Sequence, residues 1–287
     1  MDIIRSTNFF QILVRKTTFA VFVFIFVAAT GLAASKIKLV ILHTNDTHSQ
    51  VEPIEKSSLK TSNMGGYARR MGEIALIRSQ EKNVLLVDAG DIFQGTPYFN
   101  FYHGRVEIDA MNRMHYDAAT IGNHEFDNGM DTLALILRKA QFPFISSNYN
   151  VSHTPLASIL KPYFVLHRFG LKIGIMALDV NPASLIMLQN YRGLICEDPL
   201  SKASKMEAFL KKKERCDVII CLSHLGASTD FEVAHQSHYI DVIIGGHSHS
   251  MITNSYERNG DGKPVVVAQM GKSGLYLGKV ELELEKK

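Results

Sequence analysis

Short apolar runs recur along the chain, and most of them stop in a polar segment rich in glycine, serine or asparagine. Residues 38–43 (KLVILH), 83–88 (NVLLVD), 117–121 (DAATI), 217–222 (DVIICL), 240–244 (IDVII) and 264–269 (PVVVAQ) have the length and apolarity of buried strands. Between them apolar side chains fall at helical spacing: Tyr67, Met71, Ile74 and Ile77 within 65–81, then Val106, Ala110 and Met114 within 105–114. Residues 130–140 and 199–213 read as two more helices, the second closing on a lysine run that suits a helix C-terminus. The middle is β-rich, with strands at 143–147, 162–168 and 171–178. Phe169-Gly170 is a hairpin signal between the last two. Residues 275–285 alternate apolar and polar side chains like a half-exposed strand. No repeat, low-complexity tract or linker interrupts the pattern. It predicts one α/β domain with a large sheet system, two packed sheets with helices outside.

Composition narrows the function. Apolar residues are 46% and charged residues 21% of the 287, which excludes a disordered or collagen-like chain. A net charge of only +3 leaves no basic excess for a nucleic-acid polymer. Three cysteines, Cys196, Cys216 and Cys221, are too few and too irregular for a disulfide scaffold. The N-terminus is set apart. Arg5, Arg15 and Lys16 precede an uncharged stretch, 17–34, in which Gly31-Leu32-Ala33 places small residues where a signal peptidase needs them. Residues 1–34 are expected to be a signal peptide, making the protein periplasmic or extracellular, with residues 35–287 as the catalytic domain. An uncleaved membrane anchor is the competing reading, since the stretch nears the lower length for a span. With cleavage no stable membrane span remains.

The polar segments carry the chemistry. Thr44-Asn45-Asp46-Thr47-His48 follows the first strand, Asp88-Ala89-Gly90-Asp91 the second, and Gly122-Asn123-His124-Glu125-Phe126-Asp127 the third. Ser223-His224-Leu225-Gly226 and Gly245-Gly246-His247-Ser248-His249 follow two later strands. Ligands of open α/β sheets bind beyond the carboxyl ends of the strands, so five such segments are expected to converge. Asp46 and His48, like His247 and His249, are two residues apart and would face one side of an extended chain. Asp, Asn and His form a mixed nitrogen–oxygen set suited to Zn, Mn or Fe, and the lack of cysteine argues against a structural zinc. Asp46, His48, Asp91, Asn123, His224, His247 and His249 are too many for one tetrahedral ion. They suit two divalent ions sharing a carboxylate.

These ordered blocks resemble the calcineurin-like metallophosphoesterases. With Leu42-His43 before the first block and Gly65-Gly66-Tyr67-Ala68-Arg69 after it, the chain is similar from about Lys36 onward to the catalytic domain of the bacterial 5′-nucleotidase/UDP-sugar hydrolase family. The resemblance implies a four-layer α/β/β/α sandwich whose two mixed sheets pack together, with a dinuclear metal site at the strand ends. It implies that Asp46, His48 and His249 hold one metal, that Asn123, His224 and His247 hold the other, and that Asp91 bridges them. Many family members have Gln where this chain has His249. The metals would be Zn, Mn, Fe, Co or Mg. His124 would act without binding metal, its ring oriented by Asp127. Asp127 is also placed to cap the helix at 130–140. Gly65 and Gly66 could equally form a tight turn before a helix.

The implied function is hydrolysis of phosphate esters, with 5′-nucleotides as substrates, by in-line attack of a hydroxide shared by the two metals. His124 would stabilise charge on the phosphoryl group and protonate the leaving alkoxide. Family members continue into a C-terminal nucleotide-specificity domain, which this sequence does not include. A separately encoded domain of that kind is therefore one expected partner, besides a nucleotide or other small phosphate ester. A broad phosphomonoesterase or cyclic phosphodiesterase is the alternative activity. A non-catalytic partner subunit ranks lowest because every ligand position is intact.

Overall fold

The computed structural model describes residues 36–55, 60–183 and 185–285. The segment read as a signal peptide lies outside them. The described residues divide into a main unit, Lys38–Leu282, and a small one containing Lys36, Ile37 and residues 283–285, which continue strands. The main unit holds the helices, the rest of the strands and every candidate ligand residue. Among the described residues no helix is long and apolar enough to cross a membrane.

Two six-stranded sheets dominate. The first runs β14-β1-β2-β3-β4-β6, with β1 (Lys36–Thr44), β2 (Val84–Asp88), β3 (Ala118–Ala119), β4 (Phe144–Ile145), β6 (Leu160–Lys161) and β14 (Gly278–Glu285). Its strands from β1 to β6 pair in parallel. The second runs β12-β13-β11-β10-β8-β7, with β7 (Phe164–Arg168), β8 (Leu171–Asp179), β10 (Val218–His224), β11 (Val242–Gly245), β12 (Met251–Arg258) and β13 (Pro264–Met270). Its centre is parallel and its two edges are antiparallel. A small third sheet pairs β5 (Tyr149–Asn150) with β9 (Ile195–Cys196).

The apolar runs form strands because both of their faces are covered. Val40, Leu42, Val84 and Leu86 pack in one apolar cluster with residues of helices α1 (Tyr67–Gln80), α3 (Arg105–Met114) and α4 (Gly129–Leu137). Leu39, Ile41, Leu85 and Val87, on the opposite face, are equally buried. In the second sheet Met176, Leu178, Ile219, Cys221 and Ile243 pack with α5 (Pro199–Lys212) and α6 (Ala227–Gln236). The Phe169-Gly170 hairpin forms as expected. Both residues have positive φ, 58° and 74°, the conformation that lets a two-residue turn follow strand twist.

Some expectations were too generous or incomplete. The strand expected at 117–121 pairs only through Ala118 and Ala119, and 143–147 only through Phe144 and Ile145. Helices α2 (Pro97–Tyr102) and α6 and edge strand β12 were not foreseen. Asp127 does not cap α4: the residue before that helix is Asn128, and no side chain makes the cap bond.

Strand register sets the level of the site. Thr44, Asp88 and Ala119 are aligned across β1, β2 and β3, and Ser223 aligns with Gly245 across β10 and β11. The loops beyond them therefore leave their sheets at common heights. A buried acid fixes one of the connections. Glu207 of α5 accepts backbone N–H bonds from His238 (3.0 Å), Tyr239 (2.8 Å) and Ile240 (3.2 Å), just before β11. Truncating it orphans several buried donors at about 1–3 kcal/mol each. Glu207→Ala is expected to lower unfolding stability by at least about 2 kcal/mol in urea titration, and Glu207→Gln, which keeps one acceptor oxygen, by less.

Candidate metal centre

Beyond β1 and β2 the two chains stay paired. Asp46 N donates to Gly90 O (2.9 Å), His48 N to Asp91 O (3.1 Å) and Ser49 N to Ile92 O (2.9 Å). The backbone is no longer extended there. Asp46, His48 and Asp91 have φ of 48°, 47° and 52°, and His247 and His249 have 70° and 53°. The expectation that these pairs share one face of extended chain is therefore corrected. His247 and His249 in fact go to different groups. Asp46, His48 and His249 bring one ligand atom each within 4.8 Å of one another, and Asp91, His224 and His247 do the same. Left-handed backbone at non-glycine residues is costly and concentrates at functional sites.

Two glycines allow this convergence. A Cβ on Gly122 would lie 2.2 Å from Asp91 Oδ1 and 2.6 Å from His224 Nε2. A Cβ on Gly246 would lie 2.8 Å from both the Ala89 carbonyl oxygen and His224 Nδ1. Glu125, to which the sequence pattern assigns no role, braces the same region. Its carboxyl accepts N–H bonds from Asp91 (3.0 Å), Ile92 (2.7 Å), Phe93 (3.1 Å) and Gly122. Burial and the Asp91 charge push the Glu125 carboxyl up to about 8, against the pull of its N–H donors. Asn45 is the other residue missed: its Nδ2 donates to Asp46 Oδ2 (2.7 Å) and its Oδ1 accepts from Met270 N (2.8 Å). Both lie inside the polar segments, but nothing in their spacing separates a brace from a ligand.

The polar atoms have a pattern that suits cations. His224 Nδ1 lies 2.7 Å from the Ala89 carbonyl oxygen and so carries the proton of the neutral ring. Its Nε2 then presents a lone pair 3.2 Å from Asp91 Oδ2, buried and without a hydrogen-bond partner. His48 repeats this: Nδ1 lies 3.3 Å from the Phe93 carbonyl oxygen, and Nε2 lies 3.1 Å from His249 Nε2. Asp46 Oδ1 is 3.4 Å from that same His249 nitrogen. The Asn123 Oδ1 is a buried acceptor with no partner. Ring nitrogens and carboxylate oxygens gathered this closely favour positive charge between them. Two divalent cations fit this donor set.

Electrostatics agree at His48 and His247. Burial pushes the His48 and His247 rings below the usual imidazole range, which keeps them neutral as ligands must be. Burial opposes ionisation of Asp91, yet the adjacent His224 and then His124 hold its carboxyl well below the usual range. His224 is pulled the other way: burial disfavours its charge, but Asp91 raises it strongly.

His124 stands beside the clusters, its ring centroid 5.4 Å from that of His48. Its backbone N–H donates to Asp91 Oδ1 (2.9 Å), and its Nδ1 pairs with Asp127 Oδ2 at 2.9 Å. That bond leads the causes that raise its pKa, ahead of opposing burial and the favourable Asp91 charge. Asp46, His48, Asp91, His224, His247 and His249 thus fall into two clusters, with His124 beside them. Gly65 and Gly66 lead into α1 with positive φ, 74° and 89°, and Arg69 bonds back to Asn63.

Residues 39–251 match the family model described as calcineurin-like phosphoesterase. The chain is 35% identical to human (Homo sapiens) 5′-nucleotidase over 89% of its own length and 48% of that protein. It is 34% identical to the snake venom 5′-nucleotidase of Crotalus adamanteus over 88% and 46%. It thus spans about half the length of the curated relatives it matches. Among solved structures, a 5′-nucleotidase precursor from Thermus thermophilus superposes with a TM-score of 0.79 at 33% identity, covering 86% of this chain and 51% of that one. Fold, metal-ligand geometry and family match agree: the chain belongs to the calcineurin-like phosphoesterase family and is related to the 5′-nucleotidases.

Proposed function

We propose that this chain is an exported hydrolase of phosphate esters, with 5′-nucleotides as its substrates, working with two divalent cations. The observation that carries the reading is the pair of ligand clusters, with a buried, partnerless Nε2 on His224 in one of them, and a buried, partnerless Oδ1 on Asn123. Asp46, His48 and His249 would hold one cation, Asn123, His224 and His247 the other, and Asp91 would be shared between them. When bound, the cations supply neutralisation of phosphate oxygens and acidify water at the centre. The relatives named as 5′-nucleotidases support the choice of nucleotide.

The chain's own residues do the rest. His124 has Nδ1 committed to Asp127, so Nε2 is the ring atom free to act on substrate. With its pKa raised, the ring stays cationic above the ordinary imidazole range. It stabilises charge on the phosphoryl group and delivers the Nε2 proton to the leaving oxygen. Asp127 holds the tautomer and favours the cation. This contribution is present below the raised pKa and is lost as pH rises through it.

The purified chain is expected to bind about two divalent ions and to hydrolyse nucleoside monophosphates in a chelator-sensitive manner, both absent if the reading is wrong. Metal analysis and a phosphate-release panel spanning nucleotides, an aryl phosphate and a cyclic phosphodiester measure this. A clear preference for the aryl or cyclic ester would replace the nucleotide assignment.

Roles separate by mutation. Asp91→Asn is expected to abolish hydrolysis and reduce bound metal. His124→Asn is expected to keep the metal and lose about 10²–10⁴-fold in kcat. Equal metal loss in both would refute the assignment. Export rests on the charged, apolar and small-residue pattern of residues 5–34. N-terminal sequencing of native protein should find a start near Ala34 or Ser35, whereas an intact Met1 on membrane-bound protein would contradict it.

A further inference from the structure

The His124–Asp127 pair sits on a short and weakly tied piece of backbone. Residues His124–Phe126 form a single 3-10 turn, with Phe126 N bonded to Asn123 O and Asp127 N to His124 O, both at 3.2 Å. Such turns have poorer hydrogen-bond geometry than an α-helix. Asp127 is about one-third exposed at its side chain, and it does not cap α4. Packing fixes Phe126, which is fully buried with its ring edge-on to Tyr149. It does not by itself fix the carbonyl and carboxylate of Asp127.

A second element reaches that residue. Asn190, at the end of a 3-10 turn (Leu188–Asn190), donates from Nδ2 to the Asp127 carbonyl oxygen at 3.0 Å. The segment carrying Asn190 is anchored on the same core. Ile186, Tyr191 and Leu194 pack against the cluster that contains Phe126, and β9 then pairs with β5 through Tyr149 and Cys196. Asn190 and Phe126 are thus referred to one another through Tyr149, and the amide spans the remaining gap to Asp127.

We infer that Asn190 is a positioning residue for the reaction: by holding the Asp127 carbonyl it fixes the Asp127 carboxylate against His124 Nδ1 and so aims His124 Nε2 at the substrate. The inference deepens the phosphate-ester reading and rests on its assignment of His124. Asn190 acts through the Asp127 carbonyl. Small errors in the placement of a reacting group are costly in rate, which gives a remote amide leverage.

The test uses the full chain and two variants. Asn190→Ala removes the donor, and Asn190→Asp keeps the shape but presents only acceptor oxygens to a carbonyl. Both are expected to lower kcat for a nucleoside monophosphate by about tenfold, the scale of one hydrogen bond, with KM and bound metal unchanged. In the His124→Asn background the same substitutions are expected to cause no further loss, because the route through His124 is already gone. An independent readout is the His124 Nδ1 proton in the NMR spectrum of the metal-free protein. It should be resolved and slow to exchange in the parent and broadened in both variants. An equal kcat loss in both backgrounds, or an unchanged Nδ1 signal in the variants, would overturn the inference. If the parent hydrolyses no phosphate ester, the functional reading fails, and the Nδ1 signal alone decides the role of Asn190.

Discussion

The centre depends on glycine backbone running hard against ligand side chains and neighbouring backbone. Where Gly122 passes Asp91, and Gly246 passes Ala89 and His224, there is no room for even one further carbon. That closeness brings residues from strand ends in both sheets together in two candidate metal clusters. Its cost is visible in the left-handed backbone of Asp46, His48, Asp91, His247 and His249, about 1 kcal/mol or more each. The strain persists because hydrogen bonds over-determine it. The ladder from Asp46 to Ser49 and the four donors gathered by Glu125 hold the first two loops, and the Asp46 carboxylate accepts the His247 N–H at 3.0 Å.

Charge follows from that geometry. Two carboxylates with little or no solvent exposure, Asp46 and Asp91, lie beside His48 and His224, whose outer nitrogens are tied to carbonyl oxygens. The tautomer is therefore imposed from behind, and the inward nitrogens are left as bases. Neutral His48 and His247 and an Asp91 held ionised are the protonation states that metal ligation needs. His124 differs because its tied nitrogen meets a carboxylate rather than a carbonyl, which favours a cation.

Much of this was legible in the sequence because buried parallel strands and their polar ends leave strong local signals. The apolar runs marked β1, β2, β10, β11 and β13, and the five polar segments held all seven candidate ligands with His124 and Asp127. What was not legible depends on three-dimensional neighbours. Helix α2 reads PYFNFY, an aromatic string without helical period. In α6 one of the three buried positions is Asp230, which breaks the apolar stripe. Edge strand β12 shifts register between Ile252 and Ser255, blurring its alternation. The division of His247 and His249 between two clusters could not be read from an i, i+2 spacing, since it follows from backbone that only a crowded loop would adopt.

The segment around Asn190 has a different kind of consequence. Leu185, Met187 and Leu188 are largely exposed, while Ile186, Tyr191 and Leu194 anchor the stretch to the core. Its outward side chains carry little of the fold's stability, whereas its inward ones and a single amide carry its placement. Such a division lets inheritance vary one face of a loop freely while the other stays under constraint.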